Sequence, residues 1–337
     1  MASLKEIKDR IASVSGTLKI TSAMKMVASA KLHKAQQAIG NMLPYEKRLH
    51  GMLIDLMGSV NVSAQAPEED SGLKANMSNH CGQAGTDGAY SLMAGREVHK
   101  VAIVAFASNS SLCGAFNSNA IREATAVINE YRVSGLRDAD IVVYSVGRKM
   151  SEAMKKLGFP SPSDFTKMSD SPSYEAASAL AQELLDGFVS GRFDKVELVY
   201  NHYKSTSSQP TTRQTYLPLS LADAITDLHA GRVAEPAEES GPEVKQTHHQ
   251  LAGASDIILE PSPETLVQVL LPKVVRLRIF STLLDSAAAE HAARTVAMQL
   301  ATDNGNDLLQ ELTLEYNKGR QQKITSEILD LVGGSLQ

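Results

Sequence analysis

The chain has 337 residues, a formal net charge of −5, 43% hydrophobic residues, 5% aromatics and no tryptophan. That length suits two domains, or one domain with a long extension. The aromatic content argues against an aromatic-lined ligand pocket, and two cysteines, Cys81 and Cys113, are too few for a disulfide framework and fit a reducing compartment.

The charge is unevenly spread. Residues 1–58 hold nine Lys or Arg against four Asp or Glu, whereas residues 262–337 hold seven against nine, so the middle of the chain is the acidic part. A basic first arm suits an acidic partner surface, or is simply a solvated helix face. The acidic centre argues against nucleic acid as that partner.

Residues 1–58 read as one long helix. Apolar side chains recur at Leu4, Ile7, Ile11, Val14 and Leu18, the alternating three and four steps of a coiled-coil seam. The first proline is Pro44, and small residues (Ala23, Ala28, Ser29, Ala30, Ala35) leave room for a second helix to approach closely. The charged start MASLKEIKDR already has this helical pattern and does not read as a secretory leader.

Residues 59–97, with Pro67 and the acidic run 68–70, read as a loop or insertion. Residues 98–222 alternate strand and helix patterns. Apolar runs at 101–106 and 141–146 predict buried strands, and segments from about Asn119 to Val133, after Gly147, and from Tyr174 to Val189 predict helices. Further strands are predicted at 196–203 and 215–219. This alternation is the pattern of a small α/β sheet domain of Rossmann-like type. Residues 223–258 form a second acidic insertion.

From 259 onward a second long helix is predicted, capped by Ser262 with Pro263 in its first position and kinked near Pro272. No apolar run in the chain reaches the roughly 18–20 residues needed to span a bilayer, so any membrane role runs through partners. The expected fold class is therefore α/β plus a long antiparallel coiled coil, in which the N- and C-terminal helices pair around a central sheet domain.

Three site readings of the centre compete. The strand, loop and helix at 101–133 have the order of a nucleotide site, but the loop 108–117 has one glycine, Gly114, and no phosphate-binding signature. Cys113 has no histidine near it in sequence and reads better as a packed small thiol than as a nucleophile. His248 and His249 with Cys81 lack metal-ligand spacing. No catalytic, cofactor-binding or metal residue is therefore assigned, and no cofactor is expected.

Two long segments carry a resemblance. Residues 7–14, IKDRIASV, lead into residues 17–28, TLKITSAMKMVA. At the other end, residues 292–304, AARTVAMQLATDN, lead into residues 316–321, YNKGRQ, and residues 324–328, ITSEI. Together with Leu112-Cys113-Gly114-Ala115-Phe116-Asn117, these resemble the gamma subunit family of F-type ATP synthases, in that family's order and over most of the chain. The chain departs from the family pattern at Asn109-Ser110-Ser111, where Asp-Arg-Gly is usual, at Thr295 in place of Met, and at Gly319 in place of Ala.

The resemblance implies a central rotary stalk without a catalytic site of its own. It would couple proton flow to ATP synthesis or hydrolysis inside a ring of three alpha and three beta subunits. It also implies contact with an epsilon subunit and the membrane rotor c-ring, and residence as a peripheral protein on the cytoplasmic face of a bacterial plasma membrane. Met24, Lys25, Arg320, Gln321 and Thr325 match positions that would touch the alpha/beta ring. Lys8, Arg10, Lys19 and Lys31 would add positive charge toward it. Ile7, Ile11, Val14, Leu18, Ile324 and Ile328 are the expected packing residues of the shaft. A non-rotary coiled-coil adaptor and an α/β enzyme with helical extensions are the alternatives.

Overall fold

A computed structural model of the chain describes residues 3–63, 92, 95–219, 260 and 262–335. In chain order these form α1 (Leu4–Ser63), β1 (Val101–Phe106), α2 (Phe116–Val133), a 3-10 turn (Asp138–Asp140), β2 (Ile141–Val146), α3 (Arg148–Lys156), α4 (Thr166–Asp170), α5 (Tyr174–Val189), β3 (Lys195–Asn201), β4 (Thr211–Leu217) and α6 (Pro263–Ser335). The 59–97 and 223–258 insertions lie almost wholly outside the described residues, as do Cys81, His248 and His249. The exceptions are the end of α1, which continues to Ser63, and residues 92 and 95–97, which lead into the sheet.

The sheet has the order β2-β1-β3-β4, with the first three strands parallel and β4 antiparallel to β3. Side chains alternate across it with period two. Ala102, Val104 and Phe106 face a core shared with Leu180, Leu184 and Phe188 of α5. Leu49 and Leu53 of α1 and Leu271 and Val274 of α6 enter the same core, so the sheet domain and the bases of both long helices fold as one body. Val101, Ile103 and Ala105 face the opposite way, against Ala124, Val127 and Ile128 of α2 and Met150 and Met154 of α3.

One carboxylate, Glu197 of β3, is buried on that second face. Its charge is met by Arg213 Nε at 2.7 Å and Lys195 Nζ at 2.7 Å, and Tyr131 Oη donates to it at 2.6 Å. Burial opposes ionisation of Glu197, yet these three donors together hold its pKa below the ordinary value. The cluster ties α2 to β3 and β4.

α1 and α6 run antiparallel along the shaft. Leu18 lies against Gly305, Thr302 Oγ1 donates to Thr21 Oγ1 at 3.0 Å, and Leu4 lies against Gly319. The fourteen steps from Leu4 to Leu18 are thus matched by fourteen back from Gly319 to Gly305. Along α1 the residues withdrawn from solvent include Leu4, Ile7, Ile11, Val14, Leu18, Thr21, Lys25, Ala28 and Leu32, and along α6 Met298, Thr302, Gly305, Leu309, Leu312, Tyr316 and Gly319. Both sets step by three and four, the spacing that keeps a seam facing its partner.

α6 is helical on both sides of Pro272. A mid-helix proline costs about 3 kcal/mol, and Leu271, Val274 and Val275 beside it are fully buried in the core shared with the sheet domain. One expectation needs correction. Ile324 and Ile328 are not shaft-packing residues: they are 48% and 55% exposed. α1 begins at Leu4, opposite Gly319, so among the described residues α6 beyond that level has no partner helix to pack on.

Candidate coupling surfaces of the shaft

The shaft offers two separate surfaces. The first is on α1, where Ile20, Met24, Met26 and Val27 expose 59%, 41%, 66% and 58% of their area. They are outward because Leu18, Thr21, Lys25 and Ala28 take the seam positions between them. Met24 therefore points to solvent, while Lys25 is half-buried at the edge of the seam. Lys8, Arg10, Lys19 and Lys31 are exposed on the same helix, with Arg10 held by Glu6 at 3.3 Å.

The second surface is the unpaired end of α6. Every residue from 320 to 329 is exposed, so Arg320, Gln321 and Thr325 all face solvent. Thr325 Oγ1 donates to the Gln321 carbonyl at 2.9 Å and so stays on the helix. Leu329, Leu331 and Val332 add apolar area at 65%, 74% and 51% exposure. In the observed register Met24 lies level with residue 299, so about 30 Å of helix separates the two surfaces. The structure does not bring Met24 and Lys25 together with Arg320, Gln321 and Thr325.

The shaft is anchored at a telling place. The chain goes from β1 to β2 on one side and then returns to β3 on the other, which makes the β1–β3 gap a topological switch point. In open α/β sheets, ligands bind in the crevice at the carboxyl ends of the strands at such a point. Here α6 fills that crevice. Cys113, from the loop after β1, and Phe116, which opens α2, cluster with Ala289, and Tyr203, after β3, packs on that cluster and on the one that holds Ala288 and Ala292. The loop 108–117 is closed by its own side chains. Asn117 Nδ2 donates to Ser108 Oγ at 2.8 Å and to Cys113 Sγ at 3.1 Å, leaving Cys113 a buried, packed thiol.

The unusual Asn109-Ser110-Ser111 segment has clear contacts. Asn109 Nδ2 donates to the Thr166 carbonyl at 2.7 Å, and its Oδ1 accepts from the Arg148 amide at 2.7 Å. Ser110 Oγ accepts from Arg294 at 2.7 Å. Arg294 also donates to Glu290 at 2.7 Å. Burial raises the pKa of Glu290, while Arg294 pulls it back. Next to them His291 is pushed down to about 4, first by burial and then by the positive charges of Arg294 and Lys31, so it is neutral near pH 7.

The family model for ATP synthase matches residues 3–336. Relatives named ATP synthase gamma chain, from Phocaeicola vulgatus and Bacteroides thetaiotaomicron, are 49% and 47% identical, with both chains covered in full. The chain belongs to the ATP synthase gamma-chain family. Among solved structures it is similar in fold to a chain of the Euglena gracilis mitochondrial ATP synthase in its OSCP/F1/c-ring assembly, rotational state 3. There the TM-score is 0.54 at 20% identity, over 98% of this chain and 92% of that one. A chain from the rotor of the same enzyme in rotational state 1 gives a TM-score of 0.52 at 19% identity, over 95% and 98%.

Within this gamma chain, sequence reasoning did not single out His202, Tyr203, Asp285 or Gln36, which join the sheet domain to the shaft. A signal was present. Asp285 and Glu290 are the charged residues of the run 283–293, LLDSAAAEHAA, and an acid in such a run needs a buried partner.

Proposed function

We propose that this chain is the central rotary stalk of a bacterial F-type ATP synthase, coupling proton flow through a membrane rotor to ATP synthesis or hydrolysis on other subunits. The observation that carries this reading is the lopsided rod: two helices for most of its length, one helix at its tip, on a sheet domain whose ligand crevice is filled by the rod itself. A rod without threefold symmetry inside a ring of three alpha and three beta subunits presents a different side to each beta. Turning it changes which conformation each site favours.

In this reading the chain has no catalytic site of its own. Met24 and Lys25 touch a beta lever. Arg320, Gln321 and Thr325 meet the ring further along, at the unpaired tip. Exposed ion pairs worth about 0–1 kcal/mol suit contacts made and broken once per turn. The sheet domain forms the foot against the c-ring and the epsilon subunit, and the protein is peripheral on the cytoplasmic face. No helix among the described residues is long and apolar enough to cross a membrane.

The test is co-expression of the tagged full chain with alpha and beta subunits. The expected product is an ATPase with one copy of this chain per three alpha/beta pairs, arrested when a disulfide is engineered between residue 321 and beta. Hydrolysis that continues unchanged after that cross-link forms would remove the rotary role and leave a passive adaptor.

A further inference from the structure

Among the described residues, four polar links between the sheet domain and α6 stand out near its base. Tyr216 Oη donates to the Val275 carbonyl at 3.0 Å, Arg276 donates to Gln182 Oε1 at 2.6 Å, and Arg294 donates to Ser110 Oγ at 2.7 Å. The fourth is different. His202 Nδ1 lies 2.6 Å from Asp285 Oδ2, and the other oxygen of the same carboxylate accepts from the Tyr203 amide at 2.9 Å. Tyr203 Oη in turn accepts from Gln36 Nε2 of α1 at 2.7 Å. Two consecutive residues just after β3 therefore grip both shaft helices. Of the four links, only this one contains a group that titrates near neutrality.

We propose that His202 and Asp285 form a proton-controlled latch between the sheet domain and the shaft, tight as an ion pair when the imidazole is charged and slacker when it is neutral. The proposal rests on the rotor reading for its consequence, since a slacker latch lets the foot and shaft twist against each other. Among the described residues, few groups surround the imidazole. Asp285 of α6 favours the charged form, and Lys204, in the same loop, opposes it. Gln36 of α1, reaching Tyr203, and the Pro210 carbonyl, which accepts from the His202 amide at 2.9 Å, carry no charge.

The hydrogen bond to Asp285 is the main cause of a raised pKa at His202, with burial acting against it. A histidine whose pKa is higher in the folded state contributes stability that is complete below its unfolded value, near 6.5. That contribution is lost as pH rises through the folded value. The latch is therefore tight on the acid side and loosens toward alkaline pH.

The experiment measures hydrogen exchange of the Tyr203 amide in the full chain from pH 6 to 9, corrected for the intrinsic rate. In the unsubstituted chain, protection should fall by up to roughly fivefold as the imidazole loses its proton. His202→Gln should remove the step and hold protection at the lower level, and His202→Lys should hold the higher level to alkaline pH. A flat profile in the unsubstituted chain, or an unchanged step in His202→Gln, overturns the latch. Assembly with alpha and beta, measured in parallel on the same proteins, separates the two ideas. An active assembly with a flat profile refutes the latch alone, whereas a titrating latch without assembly refutes the rotor reading alone.

Discussion

At the scale of single residues, Gly147 shows how much a contact distant in sequence decides. It stands between β2 and α3 with φ +97°, and a Cβ there would lie 2.0 Å from the carbonyl oxygen of Ala107. Gly135 has nearly the same φ, +95°, but nothing within 4 Å. Gly147→Ala should therefore destabilise the chain by about 3 kcal/mol or more, and Gly135→Ala by only about 1–2 kcal/mol for the backbone alone. Urea denaturation of the two variants measures the difference, and equal midpoints would show that the Ala107 contact does not matter. In the sequence Gly147 reads only as a strand-to-helix break, because Ala107 is forty residues away. Met24, Lys25, Arg320, Gln321 and Thr325 are ring-contact candidates solely through family resemblance. Their exposure is a property of the seam around them, which no single residue reports.

At the scale of elements, the two seam glycines should respond differently to the same substitution. Alanine in place of a mid-helix glycine is worth about 1 kcal/mol from propensity. At Gly319 the new methyl would meet only Leu4 Cδ2, at 3.1 Å, at the free start of α1 where the side chain can swing aside. At Gly305 it would meet Leu18 Cδ2 at 2.7 Å and Cγ at 3.2 Å, in the middle of the paired region. Thermal melts should show Gly319→Ala gaining about 0.5–1 kcal/mol and Gly305→Ala gaining nothing or losing up to about 1 kcal/mol. Similar gains at both would mean that the helices approach no more closely at 305 than at 319. Most elements were readable from periodicity. α5 has its predicted limits, 174–189, because its apolar stripe is continuous. β4 begins at Thr211, four residues before the expected 215, because TTRQT carries no apolar alternation on a strand that is only half-buried at the sheet edge. The short helix α4 was missed because five residues are too few to show a helical period.

At the scale of the whole molecule, the antiparallel pairing of the terminal arms was legible but its register was not. A seam that repeats every seven residues tolerates a slip by whole turns, and only contacts such as Thr21 with Thr302 fix it. Ile324 and Ile328, expected in the shaft from the resemblance, lie beyond the level at which α1 begins and are off the three-and-four steps that end at Gly319. Removing residues 320–337 takes away no seam contact among the described residues and should leave the helix pair and the sheet domain intact. The truncated chain should keep the melting temperature of the full chain to within a few degrees. In a reconstituted synthase it should lower ATP made per proton more than it lowers hydrolysis. A large drop in melting temperature would show that the tip stabilises the body of the molecule.

That lone helical tip also sets a mechanical gradient. Two helices wound together resist bending and twisting far better than one, so the rod is rigid where the foot holds it and springy where it ends. Torque applied at the base is delivered sharply beside Met24 and with more compliance about 30 Å beyond it. A ring gripping both levels would receive a firm push below and a cushioned one above, and stepwise motion at the membrane would reach the far bearing smoothed.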